Sequence, residues 1–322
     1  MTLSQLRLEA SLRLQKDQNN FSKLVLINVV ITAGISLLLM LVSWLSQYIA
    51  PEGGLSNMGT QTMLATLRTL LQLASIMIVP FWDAGLIFCS LQLLRGKSST
   101  PATLLEGFHR WGPLASSLLI RGLIYFLSCM ACSFASSLLL SFLPIPPTIL
   151  DELIAFTEAP TLPLTGGVRS FFIVFFVVFC INLCILLVPK LYLHRQIVYR
   201  IMDDEPCTGA QAVLHSGILM KGNRRKLFLL DLSFWWFYLL ELCISLFSMG
   251  YLLLTELGIA IPMSAEAAIW VFPIISLLAR VVLYWFAKPK LAVTYALFYQ
   301  QVFDQSLSEP EPPQTKRKPW KY

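Results

Sequence analysis

The chain has 322 residues, of which 56% are hydrophobic and only 13% charged, with 24 Lys and Arg against 18 Asp and Glu. Its mean hydropathy is +0.69. A water-soluble domain carries roughly 25% charged residues, so too few ionic groups are present to cover this much apolar surface, and a soluble enzyme or binding domain is excluded. The surplus positive charge does not point to nucleic acid either, because the basic residues cluster at the ends of apolar runs rather than on one folded face.

Residues 1–23 carry Arg7, Arg13, Lys16 and Lys23 and no early apolar core, so they are not a cleavable leader. Leu6, Ala10 and Leu14 recur at helical spacing, which predicts a short amphipathic helix at the membrane surface. A bilayer core takes about 20 apolar residues in a helix. Leu24–Leu45 and Phe171–Pro189 qualify without a single charge, and Leu70–Leu94, Leu114–Leu143, Leu227–Leu254 and Ala267–Ala287 qualify with one or two. The expected fold is therefore all-α: a polytopic transmembrane bundle of six spans within a membrane domain at 24–303. A disordered basic tail follows at 304–322, containing Glu-Pro-Glu-Pro-Pro and then Lys316-Arg-Lys318.

Twenty of the 24 basic residues fall before the first span, between spans 2 and 3, between 4 and 5, or after the sixth. Basic loops remain in the cytoplasm, which places both termini there and the short Pro-rich loops around Glu52, Asp151 and Glu256 outside. A multi-pass protein of a cytoplasmic membrane follows, with the bilayer as its partner and anionic lipid as a contact of its basic loops. The small residues of the third span, Ala131 and Ala135 among them, predict close helix packing within one subunit or between subunits of a homo-oligomer or larger membrane complex.

Val79-Pro80 and Val188-Pro189 each sit in an apolar helix followed by a polar link and a short amphipathic stretch. A displacement of 110 residues lays Gly107 on Gly217, Gly112 on Gly222 and Arg121 on Asp231, the pattern of a parallel internal repeat. Lys288-Pro-Lys290 reads as the end of the sixth helix.

Five ionisable residues fall inside the spans: Asp83, Arg121, Asp231, Glu241 and Arg280. Each costs about 2.5–3.5 kcal/mol near a helix centre, so they must pair, line a wet cavity or lie nearer the interface. Arg121 and Asp231 lie at similar depth and are the expected structural pair, whose charges could be exchanged without loss. Glu241 and Arg280 form a second pair, with Asp83 competing for Arg280, and the three are the expected intramembrane polar cluster. These charges either join helices or surround an ion or substrate site.

Phosphate-binding, dinucleotide-binding, zinc-protease and serine-hydrolase motifs are all missing. Cys129-Met-Ala-Cys132 has redox spacing but lies mid-helix without a polar flank, and His109, His194 and His215 match no metal site in their spacing. No cofactor, metal or catalytic residue is expected.

The stretch from Ser216 through Met220, Lys221, Gly222, Asn223, Lys226, Phe228 and Ser233 to Phe234 resembles the signature of a bacterial membrane-protein family known only as domain of unknown function 975. Leu8-Glu-Ala10, Leu94-Arg-Gly96, Glu106-Gly-Phe108 and Val293-Thr-Tyr295 fit the same pattern, whereas Trp235-Trp-Phe237 and Pro289-Lys290 depart from it. The resemblance implies a six-helix integral membrane protein with no established activity, distantly similar to the membrane domain of some glycerophosphodiester phosphodiesterases. On residues and resemblance together, a non-enzymatic, transporter-like or accessory envelope component is the leading expectation. An intramembrane enzyme or binding protein acting on lipids, with Asp83 or Glu241 as acid or base, and a scaffold or immunity-type protein are the alternatives.

Overall fold

The computed structural model describes residues 2–17, 20–49, 55–142, 166–203, 207–256 and 264–308. The expected outward segment at 143–165 and the expected basic tail beyond 308 lie outside the described residues. Every regular element among the described residues is a helix: α1 (Leu3–Lys16), α2 (Asn20–Ile49), α3 (Leu55–Leu94), a 3₁₀ turn (Pro101–Leu105), α4 (Glu106–His109) and α5 (Trp111–Ser141). Then come α6 (Gly166–Leu186), α7 (Val188–Leu193), α8 (Ile197–Met202), α9 (Gly209–Leu219), α10 (Arg224–Ser233), α11 (Trp235–Ser248), α12 (Gly250–Glu256) and α13 (Ala265–Ser308). In hydrocarbon a helix is the one single-segment structure that satisfies its own backbone, so apolar runs of this length have no alternative.

Among the described residues five helices are long and apolar enough to cross a membrane, and a sixth span is complete if the bent pair α10–α11 counts as one. The predicted fifth span is thus not continuous. Its two halves meet at 64°, and Phe234 at the break leaves helical geometry with φ −108° and ψ 21°. Asp231 lies on the α10 side of that bend, so the bend takes this carboxylate out of the apolar α11.

The sixth helix does not end at Lys288-Pro-Lys290. α13 runs 44 residues, straight through Pro289, about 66 Å at the α-helical rise and twice the thickness of a bilayer core. One proline removes one backbone donor, and a helix this long and well packed absorbs the loss. Its last third is the most buried part of the chain: Val293, Thr294, Tyr295, Ala296, Phe298 and Tyr299 are all 3% exposed or less.

The dense core therefore sits at one end, the basic end, where α1, the C-terminal part of α3, the short helices α8–α10 and the end of α13 pack together. Elsewhere the spans present Leu37, Leu41, Phe126, Met130, Phe134 and Ile173 outward, as lipid-facing helices must. α1 is capped by Thr2 and Gln5 in a reciprocal box. It does not lie free on a membrane surface: Leu6 and Ala10 are buried, and Arg13 Nη1 donates to the Leu94 carbonyl at 2.6 Å. N-terminal and C-terminal helices thus meet at the same end.

The small-residue stripe of α5 is offset from the expected one. Ser128, Cys132 and Ser136 are buried, while Ala131 is exposed, and Asn182 on α6 donates to Ser136 Oγ at 2.9 Å. Its partner is α6 of the same chain. The packing of the two halves differs: α4 folds back on the Pro80-bearing α3, whereas α9 packs chiefly on α5 and α8, and the displaced glycines differ too. A Cβ on Gly107 would overlap the Phe81 carbonyl oxygen, while Gly217 has only Leu193 near it. Gly222 adopts φ +83°, whereas Gly112 lies inside α5.

Candidate functional site

α13 carries Arg280, Tyr284 and Lys288 at intervals of four, hence on one face. At one end of this row, Lys288 Nζ donates to Asp83 Oδ1 of α3 at 3.1 Å and to Asn28 Oδ1 of α2 at 2.9 Å. Asn28 is wholly buried and turns its amide toward the same carboxylate, Nδ2 to Oδ1 3.4 Å. Asp83 stands one turn beyond Pro80 and is the one charged residue of α3 after Arg68. Three spans are thereby tied at one charge pair.

At the other end of the row, Arg280 Nε lies 2.8 Å from Glu241 Oε1 of α11, and Arg280 Nη2 donates to Ser245 Oγ at 3.1 Å. The Nε–H is not aligned on the carboxylate, and Glu241 Oε2 is buried with no hydrogen-bond partner. Between the two pairs, Tyr284 stands in the field of Glu241 and, more weakly, Asp83, with Lys288 Nζ 5.4 Å from its ring centre.

The structure therefore brings Asp83, Glu241 and Arg280 into one array, with a correction. Asp83 does not compete for Arg280, because Lys288 neutralises it. The four charged side chains remain 22–45% exposed, although they lie on helices whose other faces are apolar. Two neutral pairs that are not sealed by packing can exchange a partner for a small ion or a charged solute group.

Arg121 and Asp231 are not brought together. Asp231 accepts hydrogen bonds from the Tyr192 hydroxyl at 2.8 Å and from the Tyr295 hydroxyl, and Arg195 Nη2 stands 3.9 Å away. Tyr238 completes the group through its hydroxyl contact with Tyr295 at 2.9 Å. Arg121 instead sits over the Tyr125 ring, 5.8 Å from its centre, with its Nε buried and without a hydrogen-bond partner.

The signature residues have structural places around Asp231. Ser216 Oγ donates to the Leu193 carbonyl at 2.6 Å, holding α9 on α7. Met220 is fully buried. Gly222 supplies the left-handed turn that follows α9, and Asn223 Nδ2 donates to the Leu219 carbonyl at 3.1 Å. Lys221 and Lys226 are exposed. Phe228 meets the Tyr192 ring edge-on, Ser233 Oγ donates to Leu230 O at 2.7 Å, and Phe234 is buried at the break beneath the Arg7 guanidinium. The motif builds a turn and a bend.

Asn28, Tyr284, Tyr192 and Arg195 were not singled out by sequence reasoning, and Lys288 and Tyr295 were read only as a helix end and a family-like segment. A signal existed for two of them: Asn28 is the one amide in the first apolar run, and Lys288 completes the four-residue spacing from Arg280 and Tyr284. Among the described residues no group of three or more His, Cys, Asp or Glu is placed to hold a metal ion, and all seven cysteines are free thiols.

The chain belongs to the family described as protein of unknown function (DUF975), whose model matches residues 1–306. No curated protein and no solved structure matches it. The likeness to glycerophosphodiester phosphodiesterase membrane domains gains no support from these comparisons.

Proposed function

We propose that this member of the DUF975 family is a non-enzymatic, multi-pass component of a bacterial cytoplasmic membrane, transporter-like or accessory to the envelope, and that the α13 charge row is its ion- or solute-contacting site. The basic end, where the N- and C-terminal helices meet, faces the cytoplasm in this reading, because it holds most of the lysines and arginines. The observation that carries the proposal is the partial exposure of Asp83, Glu241, Arg280 and Lys288 on spans that are otherwise apolar. Ionisable groups inside spans are costly to hold in hydrocarbon, and where they occur they face the bundle interior or a wet cavity and mark ion or substrate pathways.

A deletion strain tests this reading. Changed sensitivity to ionic solutes with an unchanged lipid profile is the expected result. Altered lipid species with unchanged solute sensitivity would favour an enzyme acting on lipids and contradict the proposal.

A further inference from the structure

Asp231 is occupied by two tyrosines and Arg195, which leaves Arg121 without the carboxylate expected for it. A second cation lies close by. Lys190 on α7 donates to Ser128 Oγ of α5 at 2.7 Å. Ser128 spends its own proton on the Ile124 carbonyl, so it offers Lys190 a lone pair and no charge. His194, four residues after Lys190, packs at a tilt against Tyr125 of α5 with ring centres 5.7 Å apart and lies in the field of both Arg121 and Lys190. Arg121, Tyr125 and Ser128 occupy one face of α5, and Lys190 and His194 one face of the facing segment.

Among the described residues, neither Arg121 nor Lys190 makes an ion pair with an acidic side chain. His194 is 4% exposed, and its Nδ1 is buried with no hydrogen-bond partner, as is Arg121 Nε. Two uncompensated cations and an orphaned imidazole nitrogen, converging between two apolar helices, are costly as they stand. Water could complete the hydrogen bonds but not the charge.

We infer that Arg121, Lys190 and His194 form a binding site for a phosphate-class oxyanion between α5 and α7. A guanidinium fork matches two oxygens of a phosphate, an ammonium serves as a point charge on a third, and an imidazole N–H completes the set. Chloride would use less of this geometry. The site is separate from the α13 row and does not depend on its role.

The test uses the full chain, delipidated in detergent, with bound mass and thermal unfolding both read. Phosphatidylglycerol should bind and raise the unfolding temperature at concentrations about tenfold or more below those needed for phosphatidylcholine, because both offer the same phosphodiester but choline adds a fixed cation that Arg121 and Lys190 repel. Competition by inorganic phosphate identifies a free-phosphate site, and its failure to compete identifies a lipid headgroup. The double variant R121Q/K190Q should lose the preference, whereas R121K/K190R should keep it. Equal response to both lipids with no response to phosphate, or an undiminished preference in R121Q/K190Q, overturns the site. Should R121Q/K190Q fail to fold, photoreactive phosphatidylglycerol on the wild-type protein decides: labelling concentrated at 121–128 and 188–194 supports the site, and labelling spread over the spans refutes it.

Discussion

Lys288 of α13 reaches Asp83 of α3 with its ammonium 3.1 Å from the carboxylate, although Lys288-Pro-Lys290 carries the local signature of a helix end. The contact exists because α13 continues through Pro289. A helix that stopped there would carry its lysine into the headgroups and leave Asp83 with only the Asn28 amide.

Removing that lysine alone should therefore be costly. K288M leaves Asp83 with only Asn28 as a partner, and the loss should be about 2–3 kcal/mol on the scale of an unpaired intramembrane carboxylate. Thermal unfolding in detergent reads it. D83N/K288M should recover most of the loss, since neither charge then remains.

The glycines separate backbone conformation from space. G222A should lose about 1 kcal/mol, because a side chain at φ +83° is strained even though the space is open. G107A should lose about 3 kcal/mol or more, because its Cβ would overlap the Phe81 carbonyl oxygen and push α4 off α3. Comparable small losses in both unfolding curves would contradict this packing.

Asp231 depends on tyrosine. Y295F withdraws one hydroxyl from the carboxylate and should cost about 1.5–3 kcal/mol, the range for a hydrogen bond to a charged group. W285F, which leaves the group untouched, should cost far less in the same unfolding measurement.

Exchanging charges between Arg121 and Asp231 should not restore the protein level lost in R121A or D231A. The exchanged arginine would face Arg195, Tyr192 and Tyr295, while the exchanged aspartate would meet Lys190 without Asp231's hydroxyl donors. An immunoblot showing full recovery in R121D/D231R would mean that the two groups pair after all.

How much of this was legible follows from the range over which each determinant acts. Spans are written locally, since 20 apolar residues in succession leave the backbone only the helix, and α2 and α5 fall close to their expected bounds. Helix ends on the polar side are decided by packing. Tyr295, Ala296 and Phe298 are buried in the core that the end of α13 shares with α1, and that burial carries α13 past a proline that would end an isolated helix. The bend at Phe234 was hidden for a similar reason, because only the tertiary partners of Asp231 show what it achieves. Glu241 and Arg280 were found because charges in apolar runs are conspicuous. Lys288 was not, because a lysine next to a proline at the end of an apolar run looks like a topology signal. Depth counted along a straight span misleads once the span bends: Asp231 lies on α10 before the 64° break, among Tyr192, Tyr295 and Arg195, and does not meet Arg121.

The central claim is that the Glu241–Arg280 and Asp83–Lys288 row is a site and not only a fastening. Replacing both partners of the first pair at once, as E241Q/R280Q, removes the pair without leaving a lone charge, so the chain should fold and accumulate normally. The account predicts that this variant, expressed in a deletion strain at wild-type level, fails to restore the strain's solute tolerance. Full restoration at that level would show that the row merely holds helices together.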